Sequence, residues 1–254
     1  MHARWSGRTN QLVLAGILCA GCELAAGETF SLNPSADAFV SSANATNNYG
    51  AAGAVAVSAR GLPKGELQSV LKFDLASAKT DFDAVLGVGN WQVQSVTLQL
   101  TAALPNNPIF NNSAAGQMAL SWMENDAWTE GTGTPSTPST AGITWATLPS
   151  FQGANDQALG TFSFAGSTSG QVNFSLPLAS GLVSDLTAGQ IASLRLYAAD
   201  TAVSGVFNSR SFGTTASRPL LVITATPEPV SALSISAVAI LMSLRRRGVR
   251  CAVA

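Results

Sequence analysis

Three carboxylates, Glu124, Asp126 and Glu130, share one short stretch with two indoles, Trp122 and Trp128. Two carboxyl groups facing one another are the machinery of glycoside hydrolysis, one acting as acid and the other as base or nucleophile. The same residues can hold a sugar without cleaving it. Indole faces stack on the apolar face of a sugar ring, and carboxylates accept hydrogen bonds from its hydroxyls. Trp128 lies in a polar loop beside Glu130, so it is the indole expected to face a ligand, with Tyr49 as a neighbouring ring. Two plainer readings stay open. Trp128 and Trp145 would be core residues clamping the loop, and the carboxylates would be a solvated turn.

Other chemistries lack their residues. The only histidine is His2, and the cysteines are Cys19, Cys22 and Cys251, all near the two ends. Between residues 28 and 226 there is neither, which excludes a Ser-His-Asp triad, a Cys-His pair and an ordinary zinc site there. No Asp-x-Asp-x-Asp spacing points to calcium, so no metal and no cofactor are expected. The same stretch holds seven Lys and Arg against twelve Asp and Glu, a net charge of −5. An acidic, lysine-poor domain is ill suited to a nucleic-acid backbone.

The elements that must position these residues read as short strands. Asp37-Ala38-Phe39-Val40 is a first strand, and Asn47-Asn48-Tyr49-Gly50 is a turn. Val55 and Val57 alternate with small residues. In Ser69–Leu75, Leu71, Phe73 and Leu75 share one face while Lys72 and Asp74 share the other. Val96, Leu98 and Leu100 alternate with Thr97 and Gln99. Strands continue at Met118–Met123, Ala158–Phe164, Val172–Leu176 and Ile191–Ala199. In the last of these, Leu194 and Leu196 should point inward, with Arg195 and Tyr197 outward. The apolar run Pro219–Thr224 predicts a central closing strand, and only Leu178–Leu186 offers a helix. The Ser/Thr/Pro-rich residues 132–140 predict an exposed loop. This pattern is all-β, a single jelly-roll-like β-sandwich of residues 28–226.

Both ends read as addresses. Arg4 and Arg8 precede an apolar run from Leu12 to Ala20 and small residues at Ala25, Ala26 and Gly27, the pattern of a secretory signal peptide over 1–27. Cys19-Ala20-Gly21-Cys22 resembles a lipoprotein box, except that Cys19 stands where an aliphatic residue belongs. At the other end, Pro227-Glu228-Pro229 precedes an apolar run from Val230 to Leu244 and then Arg245-Arg246-Arg247. As a helix that run spans roughly 22 Å, short of the roughly 30 Å hydrocarbon core of a bilayer, with arginines to hold the cytoplasmic side. The order over 227–254 resembles the PEP-CTERM sorting signal of Gram-negative bacteria. The resemblance implies recognition by an exosortase and transient membrane anchoring before release or transfer to the cell surface.

The mature stretch carries a second resemblance. Asp37-Ala38-Phe39-Val40, Asn47-Asn48-Tyr49-Gly50, Val70–Leu75, Val96–Leu100, Trp128-Thr129-Glu130, Ile143-Thr144-Trp145, Ser209-Arg210 and Arg218-Pro219-Leu220 follow the order of a DNRLRE domain. Such domains are similar to carbohydrate-binding module family 96, whose β-sandwich modules accompany polysaccharide-degrading enzymes. The family often places an acidic residue after the Ser-Arg pair, and here Ser211 stands there. Arg210 and Arg218 are expected to pair with loop carboxylates. The resemblance implies a non-catalytic surface or matrix protein that binds extracellular polysaccharide, and the pairing of indoles with carboxylates places the expected contact at Trp128, Trp122, Glu130, Asp126 and Glu124, with Tyr49 as a neighbour. The alternatives are a structural adhesin with no glycan ligand, or a polysaccharide-degrading enzyme using paired carboxylates.

Overall fold

A computed structural model describes residues 27–103 and 113–228. The apolar run with Arg245, Arg246 and Arg247, and all but the last residue of the leader, lie outside them. Eleven strands and two helices occupy the described residues: β1 (Glu28–Leu32), β2 (Ala36–Ser41), β3 (Ala54–Ser58), β4 (Leu67–Asp74), α1 (Ala76–Leu86), β5 (Trp91–Thr101), β6 (Gly116–Met123), β7 (Gln157–Phe164), β8 (Gln171–Leu176), α2 (Ser180–Ala188), β9 (Ile191–Ala198), β10 (Ser204–Asn208) and β11 (Leu220–Pro227). They build two antiparallel sheets. One runs β1-β11-β5-β8; the other runs β10-β3-β4-β9-β6-β7, with β2 added along β4.

The alternation read in the sequence decides what lies between the sheets. Leu71 and Phe73 of β4, Leu98 and Leu100 of β5, Leu194 and Leu196 of β9 and Leu221 and Ile223 of β11 meet in one core. Lys72 and Asp74 point the other way. Period-two patterning buries every second side chain on the sandwich interior, and that burial is the main driving force for the fold.

Four elements differ from expectation. The run 219–224 is not fully buried: Leu221, Ile223 and Ala225 face the core while Leu220, Val222 and Thr224 are half-exposed. It is nonetheless an interior strand, paired with β1 and β5. Its last residue is Pro227, and the Glu228 amide beyond it donates to Asn90 O at 2.9 Å. A proline completes a strand where its missing N–H costs no ladder bond. Helix α1 was not expected. Ala78 and Phe82 bury one face at a spacing of four, Leu86 packs behind them, and Gly87 at φ +94 ends the helix. Strands β1 and β10 were also missed, each being five residues long.

Beyond the central core, two smaller clusters dress β2 and its neighbours. Ala38, Val40 and Val70 pack with Met123, Trp128, Ile143 and Leu148. Phe39 packs with Tyr49, Ala54, Ala56, Leu67 and Val206. The long connection between β6 and β7 is therefore seated on apolar side chains of its own.

Candidate functional site

The connection after β6 carries most of the residues singled out in the sequence, and it is held by polar side chains at four points. The first is Asn48, whose side chain is fully buried. Its Nδ2 donates to Glu130 O at 2.7 Å and Ile143 O at 2.8 Å, while its Oδ1 accepts from the amides of Gly50 and Gly133, each at 3.0 Å. All four capacities of one amide are spent on backbone. The chain here is too close for side chains: a Cβ on Gly50 would meet Glu130 O at 2.0 Å, and one on Gly133 would meet Asn48 O at 2.0 Å.

The second point is Glu130. Its Oε1 accepts from Arg210 Nε at 2.7 Å and from the Asp37 amide at 3.2 Å, and its Oε2 pairs with Arg210 Nη2. The amide of Arg210 donates to Asp37 Oδ2 at 2.6 Å. Asp37 is only 1 % exposed, and its pKa is pushed up to about 7, first by burial and also by the nearby Glu130, against the lowering effect of the Arg210 amide. Ser211 stands after Ser209-Arg210, and Ser209 and Ser211 pair with each other at 2.8 Å. Arg218 meets no carboxylate; its Nε donates to Phe212 O at 2.8 Å.

The third point is Trp128, and here the expectation of an outward-facing indole is corrected. Trp128 is 0 % exposed. Its Nε1 donates to Ser193 Oγ at 2.9 Å, and Lys72 Nζ sits 4.5 Å from the ring centroid. Lys72 also donates to the carbonyls of Asp126 and Trp128 at 2.7 and 2.6 Å. A polar sequence neighbourhood hid this indole because the loop folds back over β2 and β4 and supplies its own apolar floor. Trp122 is 7 % exposed and belongs to the main core, and its Nε1 donates to Asp185 Oδ2 at 2.7 Å. Burial raises the Asp185 pKa to about 6 despite that bond, and Asp126 adds to the rise.

The fourth point is Asp126, half-buried beside Ser193. Burial raises its pKa; its Oδ1 is buried without a partner. Glu124 alone of the three loop carboxylates stands in solvent, bonded through both oxygens to Asn155 Nδ2 at 2.9 Å. The loop thus joins its indoles and carboxylates mostly to structural partners.

Tyr49 is buried as well, in the small cluster around Phe39. It is 6 % exposed and stacks on Phe39, ring centroids 4.5 Å apart and 11° from parallel. Together they line an open cavity of about 150 Å³ with Ser41, Asn44, Lys64, Leu67 and Pro135. The Asn44 and Lys64 side chains are exposed and have no hydrogen-bond partner among the described residues. Asn44 and Lys64 carried no signal in the sequence beyond lying in loops. Asn48 showed only as a turn residue, and Asp37 and Asp185 as solitary acids.

A family model described as carbohydrate-binding module family 96 matches residues 28–225, the span that contains both sheets, the clamped loop and this cavity. The chain belongs to carbohydrate-binding module family 96. No curated protein matches it. The cavity joins an aromatic and aliphatic wall of Phe39, Tyr49, Leu67 and Pro135 to polar groups at Ser41, Asn44 and Lys64.

Proposed function

We propose that this family 96 module is an exported, non-catalytic protein that binds extracellular polysaccharide, seating one sugar ring in the cavity beside Tyr49. The observation that carries the reading is the family match across residues 28–225. The cavity supports it. Its volume of about 150 Å³ is comparable with that of a cavity that admits a benzene-sized ring. Leu67, Pro135 and the Tyr49 edge offer apolar contact, and Asn44, Lys64 and Ser41 offer partners for hydroxyls. Trp128 and Glu130 then serve the site by fixing the loop that carries Pro135, while Trp122 belongs to the main core, Asp126 lies beside Ser193 and Glu124 is exposed.

The leader over 1–27 and the Pro227-Glu228-Pro229, apolar and Arg245-Arg246-Arg247 order of the tail support export, transient membrane anchoring and exosortase processing. Among the described residues no helix is long and apolar enough to cross a membrane.

A glycan array with the purified protein tests the reading. The exposed pair Asn44→Ala with Lys64→Ala should then weaken binding of any captured glycan tenfold or more, at unchanged melting temperature. Undiminished binding would move the site out of the cavity. Binding of no glycan would leave the structural-adhesin alternative, and new reducing ends on incubation with a polysaccharide would restore the hydrolase.

A further inference from the structure

We propose that β8 is a self-association edge, pairing antiparallel with β8 of a second copy of this chain so that two four-stranded sheets become one of eight. The inference stands on the edges of the sheets and is independent of the polysaccharide reading.

A strand at the rim of a sheet offers a row of unpaired N–H and C=O groups. Folded proteins ordinarily blunt such a rim with charge, proline, a bulge or a covering element. The rims here are β1 and β8 of one sheet and β7 and β10 of the other, with β2 laid along β4. All but one are blunted. β10 is bridged from Phe207 to Ala102 and from Ser204 to Ala114. β7 carries a bulge, where its register with β6 shifts between Leu120 and Ser121, next to Gly160 at φ +104. β2 is covered by the connection after β6, whose Glu130 accepts from the Asp37 amide. β1 starts on Glu28 and has α1 against it, Phe82 meeting Phe30 edge-on with centroids 6.3 Å apart. β8 has none of these devices. Its six residues, Gln171–Leu176, run in unbroken register with β5 and include no charge, glycine or proline. Among the described residues no further backbone bond reaches its outer side.

The partner is selected by what this strand can tolerate opposite it. Across a two-fold axis a strand meets its own copy, so every charge on it would face a like charge. Residues 157–184 contain no Asp, Glu, Lys or Arg, although residues 28–226 hold seven bases and twelve acids. β5, the strand behind β8, is uncharged too. The net −5 of the domain repels a second copy over most of the surface, and this side is where two copies approach at least cost.

The side chains are self-complementary as well. Gln171, Asn173 and Ser175 stand exposed on the outer face, and amides and hydroxyls each donate and accept, so they pair with their own kind. Val172, Phe174 and Leu176 face the core, where Phe162 of β7 meets Phe174 edge-on with centroids 5.3 Å apart. Strand pairing keeps these sets apart, polar opposite polar and apolar opposite apolar. A six-residue ladder spans about 20 Å, which makes this an interface of the small, transient class. It does not occupy the Tyr49 cavity, since none of that cavity's lining residues lies on β5, β7 or β8.

The test uses full-length protein. Sedimentation velocity up to about 1 mM, the weak end of specific affinity, should show a monomer–dimer equilibrium. Asn173→Lys and Asn173→Asp each set a charge against its own copy at an exposed position. Each should weaken association tenfold or more at unchanged melting temperature. An equimolar mixture of the two should regain it, because lysine then faces aspartate. A second measurement needs no variant. Amide hydrogen exchange over 171–176 of the wild-type protein should slow as concentration rises, while exchange over 28–32, the opposite rim of the same sheet, stays constant. Wild-type protein that remains monomeric overturns the proposal. So does association that both variants keep, or exchange over 171–176 that ignores concentration, since either puts the contact on another surface. A mixture that stays monomeric overturns the two-fold pairing.

Discussion

Trp128 shows how one residue can change roles between sequence and structure. Its neighbours are polar, yet it fills the centre of a small core and spends its N–H on Ser193. Trp128→Ala should cost about 3–5 kcal/mol and lower the melting temperature by roughly 10 °C; an unchanged melt would return the indole to the surface. Asp37 carries a prediction of a different kind. Its folded pKa of about 7 lies above the ordinary 3.8, so the folded state holds a proton that the unfolded chain releases. That contribution is fully present below pH about 4 and is lost as pH rises through about 7. Asp185, raised to about 6, acts in the same direction over a lower window. Asp83 and Asp200 are shifted down, Asp83 mainly by its bond from Lys79 and Asp200 mainly by backbone amides, and they titrate below this range. Thermal stability should therefore fall between pH 5 and pH 8, and Asp37→Asn, which keeps an acceptor for the Arg210 amide, should flatten the upper part of that fall. A wild-type curve that rises with pH over this range would contradict it.

At the scale of elements, the question is what keeps the long connection after β6 in place. Asn48 answers most of it, with four bonds to backbone groups that have few other partners. A buried group stripped of its partner costs about 1–3 kcal/mol, so Asn48→Ala should destabilise by several kcal/mol and expose residues 131–142 to limited proteolysis. Gly50→Ala should do the same, because the added methyl would strike the Glu130 carbonyl. An Asn48→Ala protein as protease-resistant as wild type would show that the loop is held by its apolar floor alone. The strands were legible in the sequence because alternation is local: Leu71 against Lys72 and Leu194 against Arg195 each declare a face. The staple was not, because nothing near Asn48 reveals that Ile143 and Gly133 come to it. Helix α1 was missed because its buried face is only Ala78, Phe82 and Leu86, too sparse beside the neighbouring strand signals. Tyr49 was named without its cavity, since Lys64 and Pro135 reach it only through the fold.

At the scale of the molecule, the domain has to hold its fold with no cysteine between residues 28 and 226. Disulfides rescue domains too small to build a core. This one has two sheets packed over a common core that also takes side chains from both helices, so packing suffices. The limits of that unit follow from the sheet. β1 begins at Glu28 and pairs with β11, which continues through Pro227, and the Glu228 amide is bonded to Asn90. A chain of residues 28–228 should fold in reducing buffer with a mainly β circular-dichroism spectrum and unfold in one cooperative transition. Ending the chain at residue 219 removes β11, an interior strand of its sheet that pairs with both β1 and β5. Both neighbours then lose their ladder, Leu221 and Ile223 leave the core, and no folded state should remain. Phe73→Ala in the 28–228 chain should cost about 3–5 kcal/mol, since Phe73 is fully buried on the core side of β4. Should the 219-residue end point fold as well as 228, the sandwich would not depend on its last strand. The tail could then be cut well upstream of Pro227 without harm. If it does not fold, the proposed processing of the tail would have to spare β11, cutting beyond Pro227, and on that proposal mass spectrometry of released protein should find the new C-terminus there.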